Sequence, residues 1–347
     1  MGRRLALSSL VVLMLGAGIT RSSKVDGTLD IYFIDVEGGA ATLIVTPSRQ
    51  SILIDTGWKR PDDRDAKRIY DVASREAGLK QIDNLITTHF HRDHFGGILA
   101  LSKMIPIGTF YDHGPMTDLA EDPGFKALYA DYQAASGGKH QTLHPGDVIA
   151  LKSGSQPIIL KCLVADATPI GGSGVENPLC AQAKQMEPDP SENARSLGFK
   201  LTFGRFRFLD LGDLTGNVES LLVCPKDAIG PIDVYQVTHH GMKTSNNPVL
   251  IQTVHPTVAI MGNGPAKGGD PETYARLKSV ASIKDIWQLH RNLASTDSDN
   301  APEPLTANLA AESNCTGNWI KVTVSSDSKQ YQVTNTRNGN KRTYSTQ

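Results

Sequence analysis

Hydrophobic and polar positions along the chain change period several times, and each change predicts an element. Residues 29–34 (Leu-Asp-Ile-Tyr-Phe-Ile), 41–46 and 51–54 (Ser-Ile-Leu-Ile) are short runs rich in apolar and β-branched side chains. Gly38-Gly39 and Pro47 divide them, the pattern of strands in a sheet. Across residues 62–79 the positions Ala66, Ile69, Tyr70, Ala73 and Ala77 approach helical spacing, with Gly78 suited to the C-terminal end. Residues 84–88 read as a buried strand, 95–104 as a helix, 115–136 as helical in the second half, and 156–164 as a strand. Leu197, Phe199, Leu201 and Phe203 alternate before a turn and a second run at 206–211, which predicts a hairpin. Strands at 234–237 and 257–261, helices at 217–222, 247–252 and 271–280, and a terminal hairpin from 319–324 and 330–336 complete the pass. Residues 165–191 have little periodicity and much Gly, Pro and Ser, so they are expected to form a long surface loop.

Strands and helices thus mix from end to end, which predicts an α/β (α+β) fold in a single domain over residues 24–347. The first 23 residues stand apart. Arg3 and Arg4 precede an apolar run from Leu5 to Ile19 that ends near the small residues Gly16, Ala17 and Gly18. This is the pattern of a signal peptide, and it predicts export to the periplasm or the extracellular space. An uncleaved N-terminal anchor is the lesser alternative, because the run is short for a membrane span. No second apolar stretch approaches membrane length, so the mature chain is expected to lack a transmembrane domain.

Composition narrows the function classes. With 347 residues, 39% of them hydrophobic, the chain is long enough for a large core and too apolar for disorder. Removing Arg3, Arg4 and Arg21 from the net charge of −1 leaves −4. That is no basic footprint, so charge does not argue for nucleic acid as a substrate. The four cysteines (Cys162, Cys180, Cys224 and Cys315) show no C-x-x-C spacing, which argues against a zinc knuckle. In an oxidising compartment a disulfide is expected, with Cys180 and Cys315 the favoured pair.

The chemistry concentrates in His89-Phe90-His91-Arg92-Asp93-His94, between a strand and Gly96-Gly97. Four metal-capable side chains in six positions, with two histidines on the same side of an extended segment, point to metal ligation. Two more strand ends carry ligands: Leu211-Gly212-Asp213, and Thr238-His239-His240-Gly241. Each is weak alone, and the three support one another. His113 and His290 are read as ordinary hydrogen-bonded histidines. Trp58 is placed either at a pocket rim or in the core.

HFHRDH, then LGD, then THHGMKTS, together with the opening IYFIDVEGGAATLIVTPSRQSILIDTG, resembles the metallo-β-lactamase-fold hydrolases. The likeness runs from about Leu29 to Gly264. It is nearest the branch of the competence-protein metallo-hydrolase domain and the secreted phosphorylcholine esterases. The resemblance implies a four-layer αββα sandwich with two divalent metal ions (zinc, with manganese or iron as alternatives) at one edge of the sheets. It assigns His89, His91 and Asp213 to one ion, and Asp93, His94, Asp213 and His240 to the other, with Asp213 bridging. Asn193 and Ser196 match an Asn-x-x-Ser-Leu segment standing where many relatives carry another histidine ligand, and both are expected among the substrate-binding residues. His239 is expected to face the substrate, Lys243 and Ser245 to meet an anionic group, and Asp55 to buttress the metal loop. There are two departures: Glu37-Gly38-Gly39-Ala40 replaces Gly-Gln-Gly-Asp, which removes a carboxylate near the site and counts against a competence-type nuclease activity, and Met242 replaces Ser.

The implied reaction is hydrolysis by a metal-bridging hydroxide, with Asp93 or His239 passing a proton to the leaving group and Lys243 opposing negative charge. A phosphoester or phosphodiester is the expected substrate, as a small molecule or other anionic ester. The alternatives are a lactonase or β-lactamase-like ester or amide hydrolase, and a metal-containing binding protein without turnover.

Overall fold

The computed structural model describes residues 27–347 except 155, 174 and 312–314. The signal-peptide reading therefore lies outside the described residues. Among those residues, no helix is long and apolar enough to cross a membrane.

Two large mixed sheets form the centre. The first comprises Leu29–Phe33 (β1), Thr42–Val45 (β2), Ser51–Ile54 (β3), Ile82–Ile86 (β4), Ile107–Asp112 (β5), Gln141–Thr142 (β6), Ile320–Val324 (β16), Gln330–Asn335 (β17) and Lys341–Ser345 (β18). Its order is β18-β17-β16-β1-β2-β3-β4-β5-β6. The second comprises Val148–Ile149 (β7), Ile158–Ala165 (β8), Thr168–Pro169 (β9), Gly198–Phe203 (β10), Phe206–Asp210 (β11), Val234–Val237 (β12), Val258–Met261 (β13), Asp285–His290 (β14) and Thr306–Asn308 (β15). It runs β15-β14-β13-β12-β11-β10-β8-β7, with β9 on β8. In each sheet an antiparallel part grades into a parallel part: β3 to β6 in the first, β11 to β15 in the second.

Alternating side chains sort into two cores. On β3, Ile52 and Ile54 join the core between the sheets, while Leu53 joins the core under the outer helices. Between the sheets, Phe33 meets Phe208 edge to face with ring centres 5.9 Å apart. Arg64–Asp71 (α1), Arg92–Phe95 (α2), Ile98–Met104 (α3) and Phe125–Ser136 (α4) follow the strands of the first sheet. Ala66, Ile69, Leu101 and Phe125 from these helices pack on its outer face. Gly216–Leu221 (α5), Pro248–Val254 (α6) and Pro271–Ser279 (α7) pack Val218, Leu250 and Leu277 into the core of the second sheet. The result is the four-layer αββα sandwich that the resemblance implies.

Some expectations need correction. The terminal hairpin is a three-stranded meander that adds to the first sheet through β16 on β1. Lys341–Ser345 escaped notice because only Tyr344 of that exposed edge strand is buried. The strands β5, β14 and β15 are further elements that periodicity missed. In β14, Gln288 and His290 are buried polar residues, which erases the apolar alternation. The disulfide joins Cys180 to Cys224, not to Cys315. It ties the short helix Pro178–Gln182 to the segment after α5, so the insert at 165–191 is anchored beside the second sheet. Cys162 and Cys315 are free thiols.

Candidate metal centre

Three strands deliver the site residues from their C-terminal ends. After β4 the chain runs through Thr88 and His89 into α2, whose first residues carry Asp93 and His94. After β11 a turn at Gly212 places Asp213, and after β12 a tight turn carries His239 and His240. Gly212 adopts φ 55°, and a Cβ there would lie 3.0 Å from the Thr88 Cβ, so the close approach of these loops requires glycine. Asp55, His239 and His240 hold the left-handed conformation with φ of 64°, 54° and 53°. Such non-glycine positions are costly and concentrate at functional sites.

The ligand atoms converge. One atom from each of Asp93, His94, Asp213 and His240 lies within 4.8 Å of the others, and all four residues are buried. His94 Nε2 is 3.2 Å from Asp213 Oδ2 and 3.3 Å from Asp93 Oδ2. His240 Nε2 is 3.2 Å from each of the same oxygens and 3.2 Å from His94 Nε2. Beside this group, His89 Nε2 stands 3.1 Å from His91 Nδ1, which is 2.8 Å from Asn193 Oδ1.

The far nitrogen of every one of these rings is tied outward, which decides where the lone pairs point. His94 Nδ1 donates to Asp55 Oδ2 at 2.7 Å, and His240 Nδ1 donates to the Gly262 carbonyl at 3.1 Å. Thr88 Oγ1 donates to Asp55 at 2.7 Å, so its oxygen is left to accept from His89 Nδ1 at 3.1 Å. His91 Nε2 donates to Glu121 Oε1 at 3.0 Å. Ser245 Oγ donates to the Leu214 carbonyl at 2.7 Å and accepts from His239 Nδ1 at 3.1 Å. The inward nitrogens therefore present lone pairs to one another, to carboxylates and to the Asn193 oxygen. Acceptors facing acceptors in a buried site need a cation between them. The residues fit divalent metal, and imidazole plus carboxylate is a donor set that zinc, iron and manganese accept.

Electrostatics agree. Burial, reinforced by His94 and His91, pushes the His89 imidazole well below its ordinary range, so it is neutral. Burial alone would raise Asp213 and Asp93, but the charges of His240 and His94 hold Asp213 far below the carboxylate range, and those of His94 and Lys267 do the same for Asp93. His94 shows the reverse balance: burial lowers it, yet Asp213, Asp93 and Asp55 outweigh that and raise it well above the usual imidazole value.

The remaining expected residues fall in different places. Asp55 sits under the metal loop as expected, bonding Thr88 and His94. Asn193 is in the cluster, its amide oxygen on His91. Ser196 and Ser245 are wholly buried. The Ser196 hydroxyl accepts from the Asp213 backbone N–H at 3.3 Å and Ser245 accepts from His239 Nδ1 at 3.1 Å, so each serine bonds a residue of the cluster. His239 is nearly buried, with Nε2 3.5 Å from Asp213 Oδ2. Lys243 is exposed and lines an open cleft of about 530 Å³ with Met186, Asp189, Thr244 and Glu272.

Sequence reasoning missed three contributors. Lys267 reaches across from a glycine-rich loop to pair with Asp93 Oδ2, and its ammonium lies 5.1 Å over the Trp58 ring. That puts Trp58 at the rim. Glu121 fixes His91. Glu192 accepts from the Phe90 N–H at 3.1 Å and pairs with His113 at 2.5 Å, which ties the metal loop to β5. Only their position in the folded chain marks them out; nothing in their local sequence does.

Residues 34–159 match the family model described as Metallo-beta-lactamase superfamily. The likeness to the metallo-β-lactamase superfamily thus lies in residues 34–159, and the curated relatives similar to the chain lie in the competence-protein branch. ComE operon protein 3 of Bacillus subtilis (strain 168) is 26% identical over 255 residues, which cover 68% of this chain and 28% of the relative. Recombination protein 2 of Haemophilus influenzae is 26% identical over 239 residues, covering 68% and 24%. The chain thus spans about a quarter of the length of the curated relatives it matches. Among solved structures, a metal-dependent hydrolase from Parabacteroides distasonis aligns at 16% identity with TM-score 0.42, over 76% of this chain and 94% of that one. The diiron β-hydroxylase CmlA from Streptomyces venezuelae aligns at 14% identity with TM-score 0.39, over 67% and 44%. Superfamily and cluster together support a metal-dependent hydrolase.

Proposed function

We propose that this protein is an exported, metal-dependent hydrolase of phosphoesters, most readily phosphodiesters. The observation that carries the reading is the set of inward lone pairs on His89, His91, His94 and His240, facing the carboxylates of Asp93 and Asp213. Divalent metal held there supplies Lewis acidity and brings the pKa of coordinated water to about 7. Asp93, His94, Asp213 and His240 would hold one ion, and His89, His91 and Asn193 the other, with Asp213 between them. His239 Nε2, next to Asp213 and outside the set of ligands, carries the lone pair of a ring whose Nδ1 proton goes to Ser245, so it is positioned to take up a proton and pass it to a departing oxygen. Lys267 pairs with Asp93 at the centre, and its ammonium favours a substrate that gathers negative charge in the transition state; Lys243 lines a cleft that reaches His239 through Thr244. The exposed side of the cleft also carries Asp189 and Glu272, which oppose a polyanion such as a long nucleic acid. The export assignment rests on the N-terminal pattern alone.

The test is turnover of bis(p-nitrophenyl) phosphate and of a chromogenic β-lactam by the metal-loaded chain. Phosphodiester turnover that disappears on chelation and returns with zinc or manganese is expected. Turnover of the β-lactam alone would reassign the substrate to the ester and amide hydrolases, and no metal-dependent turnover of either would favour a binding protein.

A further inference from the structure

A second group of metal-capable side chains lies on the other side of the Glu37–Ala40 turn. Asp35 follows β1, His290 ends β14, and Cys315 precedes β16, so the three come from distant parts of the chain and from both sheets. One ligand atom of each lies within 4.8 Å of the other two. Asp35 and His290 are wholly buried, while Cys315 is partly exposed and gives the group its access to solvent.

The hydrogen bonding leaves one atom unexplained. His290 Nδ1 is 3.2 Å from the carbonyl oxygen of Arg291, which only accepts, so this nitrogen carries the ring proton. Nε2 is then a bare lone pair, and it is buried without a hydrogen-bond partner. A buried acceptor left so costs about 1–3 kcal/mol unless something satisfies it. Cys315 Sγ donates to Asp35 Oδ2 at 3.1 Å, so its proton is directed at the carboxylate and is not available to the imidazole.

We propose that Asp35, His290 and Cys315 form a second, independent site for a thiophilic divalent cation of the zinc type. Sulfur, imidazole nitrogen and carboxylate oxygen are the three donors that zinc takes at about 2.0–2.3 Å. Those bond lengths place tetrahedral ligands about 3.3–3.8 Å from one another, and the Sγ to Oδ2 separation is already near that value. On binding, the S–H bond breaks, the sulfur–metal bond forms and one proton leaves to solvent, with no change of oxidation state. Thiolate and carboxylate balance the two positive charges, while Arg68, 3.2 Å from Asp35, keeps Glu37 as a second partner at 2.9 Å.

Without the cation the thiol is inert. Burial and the neighbouring Asp35 charge push it up to about 12, which argues against a nucleophilic role. The position indicates what a bound ion does. It staples the entry to β16 to the ends of β1 and β14, behind the turn whose Ala40 N–H bonds the Asp93 carbonyl at 3.1 Å. The site would therefore brace the loop of the metal centre without sharing a ligand with it. The proposal does not depend on the hydrolytic reading.

Cobalt substitution of the full chain separates the two sites, because a thiolate ligand gives Co²⁺ a near-ultraviolet charge-transfer band and the metal centre contains no sulfur. The wild type is expected to show that band, Asp213→Ala to keep it, Cys315→Ser to lose it, and His290→Ala to weaken it. Zinc content should fall by about one ion per chain in Cys315→Ser, a near-isosteric change that spares the fold. A cobalt-loaded wild type without the band overturns the proposal with no variant needed. Persistence of the band in Cys315→Ser overturns it equally.

Discussion

The two halves of the proposed metal centre differ in charge, burial and support. One half has two carboxylates and two imidazoles, Asp93 and Asp213 with His94 and His240, all buried. The other has His89, His91 and the amide of Asn193, and no carboxylate of its own. The side chain of His91 is one-fifth exposed, whereas that of His94 is fully buried. A dication is drawn more strongly to a buried site of charge −2 than to a neutral one. The carboxylate half should fill first and hold tightest. The neutral half, open to solvent, should load last and exchange with the medium.

The sharpest break in that comparison is Asp213→Ala. It removes an oxygen from the tight half and the proposed bridge to the other, so both metals should be lost. Hydrolysis should fall about a thousandfold or more, since several kcal/mol of metal stabilisation at about 1.36 kcal/mol per tenfold is forfeited. His91→Ala should leave one tightly held ion per chain at the centre and abolish only the weaker binding, as read by calorimetric titration with Mn²⁺. Asn193→His restores a third imidazole to the neutral half and should narrow the affinity gap. If it leaves the two affinities unchanged, the difference does not arise from the ligand set.

Asp55→Asn probes support in place of ligation. His94 loses the acceptor that fixes its tautomer, and affinity at the tight half should drop about 10–100-fold with both positions still present. The smallest effect concerns the floor beneath His239 and His240. Glu219 is buried and accepts from the Asn247 N–H at 2.6 Å, and burial raises its pKa from 4.5 to about 7. The folded chain keeps that proton between about pH 4.5 and 7, while the unfolded chain releases it. Glu219 therefore makes stability decline as pH rises through that window and level off above it. Thermal melts of Glu219→Gln should lose this part of the slope, and a slope identical to wild type would show that Glu219 is ionised in the fold.

How much of this the sequence discloses depends on where each contribution comes from. HFHRDH places four ligands within one loop, so local spacing alone pointed to metal. Asp213 and His240 became legible through the family resemblance, because a Gly-Asp turn or a His pair is common by itself. Lys267, Glu121 and Glu192 are brought in by packing across sequence separations of 30 to 174 residues. Ser196 and Ser245 are legible as site residues, while their burial and their bonds to Asp213 and His239 are not. The Cys180–Cys224 pairing and the buried polar strand β14 were hidden for the same reason. Both follow from tertiary placement, which no local pattern reports.

The most direct test of the central claim is anomalous diffraction from crystals of the zinc-loaded protein at the zinc edge. The account predicts a strong peak enclosed by Asp93, His94, Asp213 and His240, and a weaker one beside His89, His91 and Asn193. A map with no peak at the first position would contradict it, whatever the occupancy elsewhere.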